Sequence, residues 1–322
     1  MVTLKMKSDG NSILVTILLG TYNSSKYIVD SLESIRTQTY SNVELVVSDD
    51  CSTDDTLEIV NKWLTTNKDR FRNVQIVCSS TNTGITKNCN RGFKLATGQY
   101  IKLIAGDDLL TPNCIENLLD FATVENADVV YGKVCPFYDC GINKHPVAGF
   151  FELKNHAIFK LNSRNQYLKL LEGETTIYAA GNFFSKMLID EMNGFDEQYV
   201  MMEDFPFFVK ITSMSYRIRH LDELVVMYRM RSMTDKNFLK SKRYLLWFND
   251  INLFEKNELI PRLLAERKYV YLSDLYTRRF ARLIRTKNNG SLAFILSRII
   301  ESLSLINIRT RIRMLFYYFG VR

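Results

Sequence analysis

Three polar clusters in this sequence could do chemistry: Thr21-Tyr22-Asn23, Asp49-Asp50 and Asp107-Asp108, each of which follows an apolar run. Adjacent carboxylates repel each other when both are ionised, and a bound cation relieves that repulsion. Mg²⁺ and Mn²⁺ prefer carboxylate oxygens and share their coordination shell with substrate phosphates. Asp107-Asp108 therefore indicates a divalent metal that holds a diphosphate. A solvated loop before a helix is the alternative interpretation of this pair.

The sequence lacks the residues of several other common sites. The six cysteines form no CxxC pair, and the three histidines lie more than a helical turn apart, which argues against a zinc site, a disulfide framework and a Ser-His-Asp triad. The segment GTYNSS matches neither GxGxxG nor GxxxxGK[ST]. A nucleotide would therefore be recognised by other means, and a carboxylate such as Asp50 can accept the imide N–H of uracil.

Basic residues are concentrated at the end of the chain. Residues 262–322 contain thirteen Lys or Arg and three acids, whereas the preceding residues sum to about −3 of the total charge of +7. Leu292, Ile295, Leu296, Ile299, Leu303 and Ile306 fall on one helical face, and Arg309, Arg311 and Arg313 follow. This pattern favours an anionic membrane surface over a nucleic acid as the partner. A helical cap or an oligomer contact is the alternative.

The first residues carry no apolar signal core, and no stretch reaches the ~20 apolar residues of a membrane span. We therefore expect a cytoplasmic chain without a membrane-spanning segment.

Apolar β-rich runs alternate with amphipathic segments in the first part of the chain, which predicts an α/β fold with a mostly parallel sheet flanked by helices. The predicted strands are Ile13 to Leu19, Val43 to Ser48, Val74 to Ser79, Tyr100 to Ala105 and Val129 to Val134. The polar clusters come directly after three of these strands. Because ligands bind at the carboxyl ends of parallel strands, all three clusters could converge on one site.

Further elements follow from helix-start signals and periodicity. Helices are predicted from Ser52 or Thr53, from an N-cap at Thr111 followed by Pro112, from Ser185 to Met192 and from Asp204 to Met214. Residues 135–180 are expected to form an irregular acceptor-side region, residues 220–230 an extended stretch, and the chain beyond Lys240 helices. The predicted division is a catalytic domain at 1–235, with halves 12–134 and 135–235, and a basic amphipathic helical region at 236–322.

The residues from about Leu14 to Ser232 resemble glycosyltransferase family 2, whose fold is called GT-A. The resemblance rests on the ordered succession of VTILLGTYNSSKYIVDSLESIRTQTYSNVELVVSDDCSTDDT, NTGITKNCNRGFKLATGQYIKLIAGDD and GNFFSKMLIDEMNGFDEQYVMMED. A single piece, such as two acids before a helix, is far less specific.

The resemblance implies roles for individual residues in binding a UDP-sugar donor. Asp107 would approach the ribose, and Asp108, with Asp107 beside it, would coordinate Mn²⁺ or Mg²⁺. Asp50 would bind the uracil ring. The other implied contacts are Thr21, Tyr22 and Asn23 in the nucleotide pocket, and Lys87 and Asn88 near the base and diphosphate.

The resemblance also implies a general base, Asp204, with Glu203 as the alternative. Acids at a helix N-terminus are stabilised there without any catalytic role, so a structural role is equally open from the residues alone. Two positions depart from the family. Ala105 stands where many members have an acid, and Arg231 stands where many have a histidine near the metal. Arg231 could neutralise diphosphate charge but could not bind a metal.

The activity that this resemblance implies is inverting transfer of a hexose or N-acetylhexosamine to an acceptor hydroxyl. The acceptor would be a glycan or lipid-linked oligosaccharide of cell-surface polysaccharide synthesis, such as O-antigen or capsule, at the inner face of the cytoplasmic membrane. An inactive nucleotide-sugar-binding module and a metal-dependent phosphohydrolase are the alternatives, although the latter lacks histidine ligands. The residues identify neither the sugar, the linkage nor the oligomeric state.

Overall fold

The computed structural model describes residues 12–140, 143–146, 156–173, 177, 179–230, 242–287, 296, 299 and 300. The chain divides into two compact units, Met1–Ile251 and Asn252–Arg322. The boundary predicted between residues 235 and 236 lies outside the described residues and stays a prediction.

Strands and helices alternate in the first part of the chain. The elements are β1 (Val15–Thr21), α1 (Ile28–Arg36), β2 (Val43–Asp49), α2 (Thr56–Asn67), β3 (Val74–Cys78), α3 (Ile85–Leu95) and β4 (Tyr100–Ala105). In β2 every residue is buried, and β1 is buried at all positions but one, because helices cover both faces of a parallel sheet. The alternation predicted from the sequence is confirmed.

The middle of the chain adds shorter and longer strands. The elements are β5 (Leu109–Leu110), α4 (Cys114–Glu125), β6 (Val129–Cys140), β7 (Asn143–Pro146), α5 (His156–Phe159), α6 (Ser163–Glu172), β8 (Asn182–Ser185), α7 (Lys186–Glu191), α8 (Asp204–Ser213) and β9 (Ile218–Arg229). A 3₁₀ turn, Ala179–Gly181, precedes β8. The expectation that 135–180 is irregular was wrong for the end of β6 and for α6.

The described strands form one sheet with the order β3-β2-β1-β4-β8-β6-β9-β5, and β7 pairs with β6. Strands β1 to β4 pair in parallel, and β6 pairs in parallel with β9. β8 runs antiparallel to both β4 and β6, which inserts a reversed strand into the centre of the sheet. The parallel arrangement that we predicted therefore holds for the first four strands, and the remainder is mixed.

Two helices begin later than predicted. α2 begins at Thr56 because the N–H of Ser52 donates to Asp49, which makes residues 50–55 a loop. α4 begins at Cys114, and the Thr111 hydroxyl donates to the carbonyl of Leu224 instead of capping the helix. A polar side chain near a helix start can thus serve a tertiary contact that sequence alone does not reveal.

The second unit is helical where it is described. α9 (Lys242–Phe254) begins in the first unit and ends in the second, where it is followed by a π-helical segment, Glu255–Leu259, and then by α10 (Ile260–Ala265) and α11 (Tyr269–Lys287). The buried Glu255 carboxylate accepts hydrogen bonds from Arg282 and lies 3.7 Å from Arg279. No described helix is long and apolar enough to cross a membrane. Of the predicted apolar face, Leu296 and Ile299 are described and exposed, whereas the other members lie outside the described residues.

Glu44 is a fully buried carboxylate at the amino end of β2, opposite the edge that carries the polar clusters. It accepts hydrogen bonds from the hydroxyls of Thr16 and Thr97 and from the N–H groups of Thr97 and Gly98. Burial alone would raise the pKa of Glu44, but these donors outweigh burial and hold the pKa below its ordinary value. Glu44 is therefore charged and stabilising in the folded chain.

We predict that Glu44→Gln destabilises the fold by about 1–3 kcal/mol, because a buried amide cannot accept all four hydrogen bonds. Because the folded pKa is the lower one, the wild-type advantage is present above the unfolded pKa and is lost as pH falls through the folded pKa. Urea unfolding at neutral and acidic pH measures this difference. Equal stability of the two proteins at neutral pH would contradict the prediction.

Candidate active site

The carboxyl ends of β1, β2 and β4 meet at one edge of the sheet. Thr21 pairs in register with Asp49, and Gly20 pairs with Ala105. Beyond the strands, the N–H of Asp50 donates to the carbonyl of Thr21 over 3.0 Å, and Gly106 donates to Gly20 over 2.9 Å. The three polar clusters singled out from the sequence therefore lie side by side.

Thr21 and Asn23 hold the loop after β2. The Thr21 hydroxyl donates to Asp49 over 2.7 Å, and Asp49 also accepts from the N–H and hydroxyl of Ser52. The Asn23 side chain accepts from the N–H of Thr53 over 2.8 Å, and Asn23 itself has a φ of 49°. Tyr22, between them, is 45% exposed. Within Thr21-Tyr22-Asn23, Thr21 is buried, whereas Tyr22 and Asn23 are exposed.

Asp50 is buried and bonded to the start of α3. It accepts from the N–H and hydroxyl of Thr83, from the N–H of Gly84 and from the Arg91 guanidinium over 2.8 Å. Burial would raise the pKa of Asp50, but the donors from Thr83, Arg91 and Gly84 hold it below its ordinary value. A carboxylate has about four lone-pair sites, and these donors use them. A uracil N–H would have to displace one of these donors or share its lone pair, and uracil binding by Asp50 stays a prediction.

Lys87 and Asn88 face different directions on α3. Asn88 is buried, accepts from Ser48 over 2.7 Å and from Arg91 over 3.0 Å, and donates to the carbonyl of Thr21. Lys87 is exposed. Adjacent residues on a helix are separated by about 100°. Asn88 therefore supports the sheet edge from within, whereas Lys87 is exposed to solvent, and its contact with the base and diphosphate stays a prediction.

Asp108 is buried while Asp107 is partly exposed. The N–H of Arg229 donates to Asp108 Oδ1 over 2.8 Å, and Ser31 donates to the Asp108 carbonyl over 2.7 Å. Burial, and then the charge of Asp107, raise the pKa of Asp108 well above its ordinary value, although Arg229 and Lys102 oppose the rise. The negative charge at Asp108 is thus only partly compensated by the protein.

The donor set at this position fits a divalent cation. Two adjacent carboxylates supply hard oxygen ligands, and Mg²⁺ or Mn²⁺ commonly binds one or two carboxylates together with phosphate oxygens. Among the described residues no cluster of three or more His, Cys, Asp or Glu side chains surrounds a common point. Any further ligands would therefore come from a bound diphosphate and water, or from residues outside the described part of the chain.

Arg229 is a cation that the sequence analysis missed. Its Nε donates to the carbonyl of Asp107 over 2.7 Å, and its guanidinium lies 3.1 Å from Asp30 and over the rings of Tyr27 and Phe137. The side chain is 1% exposed. The sequence analysis placed a cation two residues later, at Arg231, which lies outside the described residues. The available signal in the sequence was that Arg229 falls within the predicted extended stretch, residues 220–230, whereas Arg231 lies beyond it.

Glu203 and Asp204 lie at the start of α8. The Asp204 carboxylate is partly buried and accepts from the N–H groups of Phe205 and Ala179, and burial raises its pKa nonetheless. Glu203 is buried. The loop before them contacts α3, since the N–H of Thr86 donates to the carbonyl of Val200 over 3.5 Å.

Close packing holds that loop in place. Gly84 has a φ of 92°, and a Cβ added to it would lie 2.4 Å from Val200. Asn90 donates to the carbonyl of Phe195 over 2.9 Å and accepts from its N–H over 2.8 Å. The structure thus brings the segment before Glu203-Asp204 to the start of α3, just after the residues that bond to Asp50. Asn90 is a second residue that sequence reasoning missed. The available signal was a polar side chain on the face of α3 that is buried.

A family model described as Glycosyl transferase family 2 matches residues 16–192, more than half of the chain. The chain is a member of glycosyl transferase family 2. The match covers β1 to α7 and includes Asp50, Asp107 and Asp108, whereas Glu203 and Asp204 lie beyond its end.

Two relatives of this family 2 chain illustrate the extent of the similarity. Glycosyltransferase GlyG of Streptococcus pneumoniae is 33% identical over 122 residues, which are 38% of this chain and 39% of the relative. The UDP-Glc:alpha-D-GlcNAc-diphosphoundecaprenol beta-1,3-glucosyltransferase WfaP of Escherichia coli is 33% identical over 122 residues, 37% of this chain and 45% of the relative. The alignment therefore spans less than half of either relative.

Solved structures share the fold across most of this family 2 chain. S. aureus TarS 1-349 in complex with UDP-GlcNAc has a TM-score of 0.56 at 20% identity. The similarity covers 93% of this chain and 92% of the TarS chain. The mannosyltransferase PcManGT of Pyrobaculum calidifontis, in complex with GDP-Man and Mn²⁺, has a TM-score of 0.52 at 18% identity. The similarity covers 90% of this chain and 87% of the mannosyltransferase chain. The GT-A fold predicted from the sequence is confirmed.

Proposed function

We propose that this chain transfers a hexose or N-acetylhexosamine from a UDP-sugar to an acceptor hydroxyl, with inversion at the sugar. One observation carries the proposal: Asp50, Asp107 and Asp108 lie at the edge where β1, β2 and β4 end, and the segment that leads to Asp204 packs against the start of α3, where Gly84 bonds to Asp50. A UDP-linked sugar is the donor in the printed name of the E. coli relative and the ligand of the TarS structure, which supports this donor class.

The donor would bind across this sheet edge. Tyr22 offers an exposed ring for the nucleotide base, and Thr21, Asn23 and Asn88 keep the surrounding loops in place. Asp107, which is partly exposed, would approach the ribose.

Asp107 and Asp108 would hold Mn²⁺ or Mg²⁺ together with the donor's diphosphate. When bound, the ion offsets the negative charge that develops on the departing diphosphate. Asp108 must be ionised to act as a ligand, and the neighbouring Arg229 N–H favours that form. Arg229 fixes the loop backbone through the carbonyl of Asp107, so that both carboxylates stay in one arrangement.

We predict that Asp108→Asn removes the Mn²⁺-dependent part of UDP binding. The loss of metal affinity should exceed the about 10- to 100-fold that is typical when a residue that only orients the metal ligands is replaced. Because burial and Asp107 raise the pKa of Asp108, metal affinity in the wild type should fall as pH is lowered, beginning above the ordinary carboxyl pKa of about 4. Calorimetry with UDP, with and without Mn²⁺, measures both effects. Asp30→Asn is the control, since Asp30 touches Arg229 but not the proposed ion. Mn²⁺-dependent binding that survives in Asp108→Asn would exclude this ligand.

Asp204 would accept the proton of the attacking acceptor hydroxyl. A carboxylate whose pKa is raised by burial is a stronger base than an exposed one. The N–H groups of Phe205 and Ala179 orient it at the start of α8. Proton removal and attack on the sugar then occur in one displacement, so that no covalent sugar intermediate is needed. Glu203 is the alternative base.

We predict that Asp204→Asn lowers turnover by about 10²- to 10⁴-fold, the usual contribution of a general base, while UDP and Mn²⁺ binding persist. The assay is UDP release in a screen of UDP-glucose, UDP-galactose and their N-acetyl forms. Glu203→Gln is the matched variant at the adjacent position and should retain turnover. Full turnover in Asp204→Asn together with loss in Glu203→Gln would transfer the role to Glu203, and turnover in both would remove the base from this segment.

The acceptor proposed here is a lipid-linked oligosaccharide at the inner face of the cytoplasmic membrane. The E. coli relative acts, by its name, on a sugar carried by diphosphoundecaprenol. The excess of basic residues in 262–322 would draw the chain to anionic headgroups, where such an acceptor resides.

Replacing Arg309, Arg311 and Arg313 by Gln in the full chain should weaken binding to anionic vesicles by about 100-fold, since each basic residue contributes about 1 kcal/mol. Flotation with phosphatidylglycerol vesicles measures the binding. A variant in which the exposed Lys62, Lys68 and Lys94 become Gln has the same net charge and should still float. Equal flotation of the two variants would contradict a specific role of residues 262–322 in membrane binding.

A donor-binding module without transfer is the second candidate function. The observations in its favour are the two departures from the family pattern, Ala105 in place of an acid and Arg231 in place of a histidine. Such a module would bind UDP in calorimetry but release no UDP from any of the four donors, which separates it from the transferase.

A further inference from the structure

Lys102 is a fully buried lysine in the middle of β4, and its only part so far is to oppose, through its charge, the rise in the pKa of Asp108. Its Nζ donates to the carbonyl of Ala180, to the carbonyl of Asn182 over 3.2 Å and to that of Leu103 over 3.2 Å. An ammonium group has three N–H donors, so these backbone carbonyls use all of them. Within the described part of the chain no carboxylate lies at ion-pair distance, although Asp108 is close enough to act on Lys102 electrostatically.

Burying a lysine at this position costs free energy that an apolar side chain of the same size would not. Removing an ammonium from water is unfavourable, and a Met side chain of similar length would occupy the same volume without that penalty. The neighbouring residues of β4, Ile101 and Leu103, are apolar and buried, as expected for a central strand. The lysine is therefore explained by the carbonyls it binds rather than by packing.

Those carbonyls belong to the segment that also contacts Asp204. The turn Ala179–Gly181 presents the carbonyl of Ala180 to Lys102 and the N–H of Ala179 to the Asp204 carboxylate. Gly181 allows the turn to approach the sheet closely, because a Cβ there would lie 2.6 Å from the carbonyl oxygen of Gly132. Lys102 and Asp204 thus bind the same three-residue turn, one through its carbonyl and the other through its N–H.

We propose that Lys102 is a positioning residue for Asp204, which acts by holding the Ala179–Gly181 turn so that the Ala179 N–H keeps the carboxylate in one orientation. The inference rests on the proposed role of Asp204 as the base. It extends the proposed site from α8 into the sheet, because Lys102, a residue of β4, then controls the orientation of the Asp204 carboxylate.

The test is Lys102→Met in the full chain, assayed by UDP release from UDP-GlcNAc and UDP-glucose. We expect kcat to fall at least tenfold while the UDP affinity in calorimetry without Mn²⁺ changes by less than about twofold, the pattern of a lost transition-state interaction. The acid limb of the kcat profile should move to higher pH, since loss of the Ala179 N–H removes a donor that favours ionised Asp204. Glu44→Gln is the matched control, because it disturbs a buried polar group at the far end of the sheet and should leave kcat and the limb unchanged.

A second variant guards against loss of folding. Lys102→Gln keeps an N–H₂ donor within reach of the turn, and its kcat should lie between those of the wild type and Lys102→Met. If both variants keep wild-type kcat and the wild-type acid limb, Lys102 is a packing residue and the inference is overturned.

The double variant Lys102→Met/Asp204→Asn separates this inference from the proposed function. If Lys102 acts through Asp204, Lys102→Met should cause no further loss of turnover in the Asp204→Asn background. The same loss in both backgrounds would overturn the positioning role and leave the base assignment intact. Full turnover in Asp204→Asn alone would instead reject the base, and the role of Lys102 with it.

Discussion

A buried carboxylate beside a second carboxylate is the constraint on which this site depends. Asp108 is almost fully withdrawn from solvent directly after β4, and Asp107 adds a like charge next to it. The protein offsets part of that cost with the N–H of Arg229 and with the charges of Arg229 and Lys102. The residual negative potential favours a cation with phosphate oxygens, and this is the physical reason for a diphosphate site at this edge of the sheet.

The surrounding fold keeps that loop fixed from several directions. Ser31 binds the Asp108 carbonyl from α1, Arg229 reaches the Asp107 carbonyl from β9, and Lys102 binds the turn beside Asp204 from within β4. Rigid strands and helices, rather than the loop itself, therefore determine the geometry.

The sequence predicted the features that depend on local patterns. Runs such as Tyr100 to Ala105 are apolar at every position but Lys102, so that the parallel strands and the convergence of the polar clusters could be derived. It did not predict which partners the polar residues choose. Thr111 was expected to cap a helix, yet it bonds to Leu224, which lies more than a hundred positions later in the chain.

Long-range partners account for the missed site residues as well. Arg229 differs from Arg231 by two positions, and only the pairing of β9 with β5 and β6 shows that Arg229 reaches Asp107. The reversed strand β8 was equally hidden, since a buried run of Asn182 to Ser185 carries no sign of its direction. Similarity to known family 2 proteins supplies the fold and the family, whereas the donor, the acceptor and the residue roles rest on the chemistry of this edge.

A crystal structure of the chain with UDP and Mn²⁺, with the metal located by its anomalous scattering, tests the central claim most directly. The account predicts one Mn²⁺ peak at bonding distance from an Asp108 carboxylate oxygen and from the diphosphate, with the uridine along the ends of β1 and β2 and Asp204 facing the open side of the diphosphate. A peak bound elsewhere, or a uridine diphosphate that leaves Asp108 and Asp204 on separate surfaces, would contradict it.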